Sequence, residues 1–406
     1  MNTIDKEVLA YISDEVINMR RHLHKFPEIS EEEDETSTFI QRKLTKYGIP
    51  FETGYAKTGV LGIIQGKKSG GVVALRADMD GLPISEKNNI EYASVFANRM
   101  HACGHDAHTS MLLGAGYVLN KMKSKLPGTI LLLFQPSEEK GPIGGAKPMM
   151  ADGVFRKYKP DVIFGQHVWP DLPLGKIGVR AGEMMGNSDR FIIHVSGTGG
   201  HASMPHQSVD AIVAACKLVS TLQSIVSRNI NPLESAVLTI GKIEGGYRYN
   251  TIADRVRLEG TIRTFSKDIK IHMKKKLFLL TEHVTKAIGA TAKITYIDGY
   301  PATINTKKWA DFIIKTAKKL FGNDSVPTIE PSLGAEDFSR FLEKYPGAFY
   351  WLGTQLDAKN DQKPLHHPQF QLNEKALPLG VQLLTKIAVD ALMIIEKEKE
   401  NKSEDC

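Results

Sequence analysis

Apolar residues recur at helical spacing from the start of the chain. Val8, Ile12, Val16, Met19 and Leu23 share one face of residues 4–25, and Pro27 stops the repeat. A second helix is expected over 30–47, with Glu31, Glu32 and Glu33 in its first turn and Gly48 and Pro50 ending it. The period then shortens. Strand-like runs at 59–65 and 71–77 precede a helix at 108–123 and the continuous apolar run 129–134. This alternation predicts an α/β domain around a largely buried sheet.

A different rhythm starts near Met185: strand 190–196, helix 208–228, strands 235–243 and 255–265, helix 268–288, strand 292–297. The order β-α-β-β-α-β describes a two-layer, ferredoxin-like module. Helices at 307–321 and 373–397 around a strand at 348–352 then return the chain to the first domain. The expected division is therefore a discontinuous domain, 1–184 with 301–406, and an insert, 185–300. The polar tail 398–406 is expected to fray.

Composition narrows the function. A chain of 406 residues has room for two cores, and its charge of +6 comes from 52 basic and 46 acidic residues spread along it. The densest basic run, Lys274–Lys276, falls in a helical segment and reads as a wet face, so nucleic-acid binding is not expected. Cys103, Cys216 and Cys406 are too few and too scattered for a disulfide framework, which favours a reducing, cytoplasmic setting. Neither a signal-like N-terminus nor a run long enough to span a bilayer stands out, so no membrane partner is expected.

Candidate chemistry concentrates at strand ends. Met100-His101-Ala102-Cys103-Gly104-His105-Asp106-Ala107-His108 packs a thiol and imidazoles around a glycine, donors suited to borderline divalent metals. A buried structural thiol beside hydrogen-bonding histidines is the competing reading of that window alone. Asp78-Met79-Asp80 follows one strand and Glu138-Glu139 another, where α/β enzymes gather their sites; Asp-rich turns and a solvated acidic loop are the alternatives. His167 ends a short apolar strand, and His366 and His367 stand in a proline-flanked loop.

Taken with Arg21-x-Leu23-His24-x-x-Pro27-Glu28, Arg76-Ala77-Asp78-Met79-Asp80 and Phe134-Gln135-Pro136-x-Glu138-Glu139, this series resembles peptidase family M20 over nearly the whole chain. The branch it is most similar to contains N-acyl-amino-acid amidohydrolases, hippurate hydrolases, N-acetyldiaminopimelate deacetylases and auxin-conjugate hydrolases. The resemblance implies a metallopeptidase-type α/β catalytic domain with an inserted lid and dimerisation domain. It also implies two divalent ions, zinc or manganese with cobalt or nickel as other options, held by Cys103, His105, Glu139, His167 and His366. Glu138 becomes the general base, and Asp80 an orienting carboxylate. Asp78 stands where much of the wider family has a histidine ligand.

From the insert, Gly199-Gly200-His201-Ala202-Ser203-x-Pro205 resembles the lid motif, making His201 a candidate stabiliser of the substrate carbonyl, in relatives often of the opposite subunit. Asn250, Arg263 and the Gly334 segment match substrate-binding positions. The expected reaction is hydrolysis of the amide of an N-acyl amino acid or small peptide by a homodimer or higher homo-oligomer joined through 185–300. A dipeptidase or aminopeptidase of the same family, and a non-catalytic metal-binding or interaction protein on the same fold, are the alternatives.

Overall fold

The computed structural model describes residues 6–67, 70–358 and 361–404. The chain opens with helices α1 (Lys6–Lys25) and α2 (Asp34–Tyr47), then strands β1 (Phe51–Tyr55), β2 (Gly59–Gln65) and β3 (Val72–Asp78). Helix α3 (His105–Lys121), β4 (Thr129–Gln135), β5 (Val162–Trp169) and β6 (Ile177–Gly178) follow. Next come β7 (Asp189–Ser196), α4 (Ala211–Asn229), β8 (Ala236–Gly245), β9 (Arg255–Thr264), α5 (Lys267–Lys286) and β10 (Thr291–Ile297). Helix α6 (Lys307–Phe321), β11 (Gly347–Gly353) and α7 (Ala376–Glu404) complete the chain. Two compact units emerge, one of residues 1–184, 304–330 and 337–406, the other of 185–303 and 331–336.

In the first unit a seven-stranded sheet has the order β1-β2-β4-β3-β5-β11-β6. Its centre, β4-β3-β5-β11, is parallel, with Asp78 opposite Gln135 and His167 opposite Trp351. Those four strands are buried almost throughout, which is why their sequences read as unbroken apolar runs. Because they are parallel, their carboxyl ends open on the same edge of the sheet, where ligands bind in open α/β folds. The apolar stripe of α1 (Ile12, Val16, Met19, Leu23) is buried against that core, and α3 is buried on nearly every side.

The second unit is a four-stranded antiparallel sheet, β8-β9-β7-β10, with α4 and α5 packed on it. Strand β7 alternates buried and exposed positions, as a half-covered sheet requires. Asp210 caps α4 through the N–H groups of Ile212 and Val213 (2.8 and 3.2 Å), so that helix begins three residues after the expected start.

Three other expectations change. Helix α2 starts at Asp34, because Glu31 takes a left-handed φ of 70° and residues 30–33 form a loop. Helix α7 continues to Glu404 where a frayed tail was expected; Glu398 is held by Lys308 (2.6 Å), and Lys399 by Asp161 (3.1 Å). Asp405 and Cys406, like Ile4 at the other end, lie outside the described residues. Two helices, Ala211–Asn229 and Ala376–Asn401, do have the length and apolarity to cross a membrane. Both instead contribute apolar faces to the two cores, through Leu218, Leu222 and Ile225 in one and Leu377, Leu384 and Leu392 in the other.

Candidate metal centre

The site is assembled at the carboxyl edge of the parallel strands and the first turn of α3. Gly104 makes that turn possible: its φ is +84°, and a Cβ there would stand 2.3 Å from Val168 Cγ2. Cys103 and His105 are thereby presented from either side of a backbone that presses against β5. Helix α3 starts at His105, three residues earlier than its periodicity suggested, and so carries the imidazole on its own first turn.

Among the described residues, five groups of side chains bring one donor atom each within 4.8 Å of one another. Three of them join the expected residues: Cys103 with His105 and His167, Cys103 with Glu139 and His366, and His105 with Glu138 and Glu139. The others are Asp78 with His105 and His108, and Glu138 with Glu336 and Asp337. Cys103 Sγ lies 3.5 Å from His167 Nε2, and His366 Nε2 lies 3.1 Å from Glu139 Oε1. The last contact separates the two histidines of the loop. His366 adopts a left-handed φ of 65°, its N–H donating to Ala102 O at 2.8 Å, whereas half-buried His367 accepts a local bond from Gln369 N.

His105 and His167 are each aimed by their second nitrogen. His105 Nδ1 is 3.1 Å from Asp80 Oδ1, and Asp80 is itself held by Ser30 Oγ (2.6 Å) and Glu139 N (3.0 Å). His167 Nδ1 donates to Val168 O at 2.7 Å. This is how metal-ligating histidines are commonly oriented. His108, in contrast, is used at both nitrogens: Nε2 accepts from Val168 N (2.8 Å), which leaves the Nδ1 proton for Asp78 Oδ1 (2.6 Å). It supports Asp78 and has no nitrogen left for an ion.

Burial and charge explain the titration behaviour. Burial drives the Cys103 thiol well above its usual range, reinforced by the carboxylates of Glu139, Glu138 and Asp78. Burial would lower His105, but Asp78, Asp80 and Glu139 outweigh it and push its pKa up to about 10. Burial would raise Asp78, yet Arg76, His105 and His108 hold it well below the ordinary carboxylate range. His167 lies well below its usual value, through burial first and then neighbouring His108. A buried pocket with this excess of carboxylate stabilises positive charge. His105 Nε2 is buried and lacks a hydrogen-bond partner among the described residues, and buried Glu139 Oε1 is met by the His366 imidazole at 3.1 Å but outside hydrogen-bond geometry. Two such atoms facing one thiol and further imidazoles are the chemistry a divalent ion satisfies.

The supporting residues were the part least visible beforehand. Buried Arg76 spans Asp78 (2.7 Å), Asp337 (2.9 Å) and Gln135 (2.9 Å), fastening the ends of β3 and β4 together. Asp337 also accepts from Gly145 N and Ala146 N, both at 2.9 Å, and its own N–H donates to Glu138 Oε1 at 3.3 Å. A basic residue inside an otherwise apolar strand was the available signal for Arg76. Nothing local pointed to its partner 261 positions away.

The remaining predicted residues belong to the second unit. His201 pairs with Thr251 in a short two-stranded ladder; its Nδ1 accepts from Ser203 N (3.2 Å), which leaves the ring proton on Nε2 when neutral. Exposed Asn250 accepts from Ala202 N, Arg263 on β9 donates to Asn187 O at 3.4 Å, and Gly334 donates to Ser332 Oγ.

A parallel sheet delivering carboxylates, imidazoles and a thiol to one pocket defines the class: an α/β enzyme built around metal-ligating side chains. Residues 74–390 match the family described as Peptidase family M20/M25/M40, and the chain belongs to that family and is a hydrolase. It is 40% identical to an N-acetyl-L-cysteine deacetylase of Bacillus subtilis, covering 98% of this chain and 92% of that protein. It is 38% identical to thermostable carboxypeptidase 1 of Saccharolobus solfataricus over 95% and 97% of the two. The crystal structure of the Bacillus subtilis YXEP protein, described as a dinuclear metal-binding peptidase of family M20, superposes with a TM-score of 0.82. That match has 35% identity and covers 95% of this chain and 99% of that one.

Proposed function

We propose that the protein removes the acyl group from N-acyl amino acids by metal-dependent hydrolysis of the amide bond. The observation that carries this reading is the juxtaposition of buried Glu138 with the donor groups that share Cys103 and Glu139. Cys103, His105, Glu139, His167 and His366 would hold two divalent ions, zinc or manganese being favoured by a set that mixes thiolate, imidazole and carboxylate. Such a pair, when bound, supplies a Lewis acid and lowers the pKa of water from about 15.7 to about 7.

The chain's own groups do the rest. Glu138, positioned by the N–H of Asp337, accepts the proton of the attacking water and returns it to the leaving nitrogen. Asp80 keeps His105 in the tautomer that leaves Nε2 free to ligate. The second unit serves as a ferredoxin-like lid and dimerisation module. His201 donates from Nε2 to the carbonyl oxygen as charge develops on it, and Asn250, Arg263 and the Gly334 segment receive the substrate's polar groups. Edge strand β8 and exposed Ile243 support association through this module, and the free thiols of Cys103 and Cys216 support a reducing, cytoplasmic location.

Replacing Glu138 with Gln tests the mechanism. Hydrolysis of acetyl- and benzoyl-amino acids should fall by about 10²- to 10⁴-fold while bound metal is retained, and a wild-type rate in a metal-loaded variant would sink it. The similarity to a carboxypeptidase keeps a second reading in play, cleavage of short peptides. A panel of N-acyl amino acids against unblocked dipeptides decides between them by kcat/KM.

A further inference from the structure

The turn that carries Glu138 and Glu139 departs from β4 through Ser137, whose φ is 57°. A non-glycine residue in that region costs free energy and persists only where its surroundings hold it. What holds it is Glu33. This carboxylate is fully buried, accepts Ser137 N at 2.8 Å and Ser137 Oγ at 3.2 Å on one oxygen, and pairs with Thr58 Oγ1 at 3.0 Å on the other. Ser137 Oγ in turn accepts Glu31 N at 2.9 Å.

The position of Glu33 makes this use of its side chain unusual. It stands at the N-cap of α2, yet its side chain caps nothing. Glu28 caps the helix from outside, accepting Thr36 N at 2.7 Å and Glu35 N at 3.2 Å. Helix α2 therefore has its end satisfied without Glu33, and a carboxylate is buried, at the desolvation cost that burial carries, to grip the turn next door.

We infer that Glu33 is a positioning residue: by clamping the left-handed Ser137 turn it sets where Glu138 and Glu139 point. This rests on the role given above to those two residues. Without the clamp Ser137 N–H is left as a buried unpaired donor, and the turn relaxes toward right-handed or extended backbone. The Glu138 carboxylate then swings away from Asp337 N, and the Glu139 backbone N–H from the Asp80 carboxylate, the contacts that hold the two residues now.

The clamp is positional, so the substitutions rank in a particular order. Glu33→Gln keeps an acceptor at the same reach; Glu33→Asp keeps the charge but withdraws the acceptor by one methylene; Glu33→Ala removes it. Expected kcat is within about 3-fold of wild type for Gln, and lower by 10-fold or more for Asp and Ala, with KM changed by less than about 3-fold. Glu28→Ala is the structural control: it removes the α2 cap and lowers Tm while leaving kcat per folded molecule unchanged.

A second readout is independent of hydrolysis. In calorimetric titration of chelator-treated protein with Co2+, Glu33→Asp should weaken binding about 10-fold through misplaced Glu139, and Glu33→Gln and Glu28→Ala should not. Should Glu33→Ala fail to fold, the Asp and Gln variants still decide. Equal kcat and Co2+ affinity in Asp and Gln, or damage greater in Gln than in Asp, overturns the positional role. Should the wild type hydrolyse no amide, the function proposed above fails, while the Co2+ series still reads the clamp.

Discussion

Cys103 shows how far one side chain's chemistry depends on its neighbours. Burial and three carboxylates raise the pKa of its thiol in the metal-free chain, and a divalent cation between them offsets both effects by supplying the positive charge a buried thiolate needs. Metal uptake should therefore release protons, measurable as buffer-dependent heats when Zn2+ or Mn2+ is added to chelator-treated protein. Cys103→Ser should weaken Zn2+ far more than Mn2+, by about 10- to 100-fold, because only the softer ion gains from thiolate.

Glu33 gives a pH prediction of defined sign. Burial, with Asp80 nearby, raises its pKa to about 7 from an ordinary value of 4.5. The folded state then holds a proton that the unfolded state has lost, so this group's contribution to stability falls as pH rises from 4.5 to about 7. Glu33→Gln removes the dependence. In chelator-treated protein its Tm advantage over wild type should be larger at pH 8 than at pH 5, by roughly 3–6 °C. At this scale Cys103, His105, Glu138 and Glu139 stood out because they sit in two short windows, 103–105 and 138–139, whereas His167 and His366 are isolated histidines. Glu33 did not stand out: it is one of three successive glutamates that periodicity places together in a helix's first turn, and only the fold shows which one turns inward.

At the scale of elements, the central parallel strands of the first unit were recovered to within a residue because buried parallel strands have no polar face to interrupt them, whereas the edge strands β1 and β6 were missed. Helix starts were harder. The start of α2 moved to Asp34, since an acidic run that favours a helix N-terminus was taken up instead by the loop under the site. The start of α3 moved to His105, where metal-type donors replace the apolar residues that mark a helical face. Gly104 is the element's most sensitive joint. Gly104→Ala combines a left-handed backbone with a 2.3 Å contact to Val168, and should cost about 2–4 kcal/mol and most of the metal affinity. Chemical denaturation with metal analysis of the folded fraction checks both effects.

Across the whole molecule, oligomeric state and catalysis are expected to be linked. Light scattering should show a dimer, and Ile243→Lys, placed at the end of edge strand β8, should raise the monomer fraction together with a fall in kcat if His201 serves the partner's site. A fully active monomer would remove that linkage. Taken alone, the sequence determined the α/β class, the β-α-β-β-α-β insert as an element order, and the donor types, because periodicity and residue chemistry are local properties. Only the tertiary structure decided that His366 rather than His367 approaches Glu139, that His108 serves Asp78, and that Arg76, Asp337 and Glu33 hold the site in place. Those pairings join residues tens to hundreds of positions apart, and a buried polar group's partner is set by which strand ends lie side by side, which no local pattern encodes.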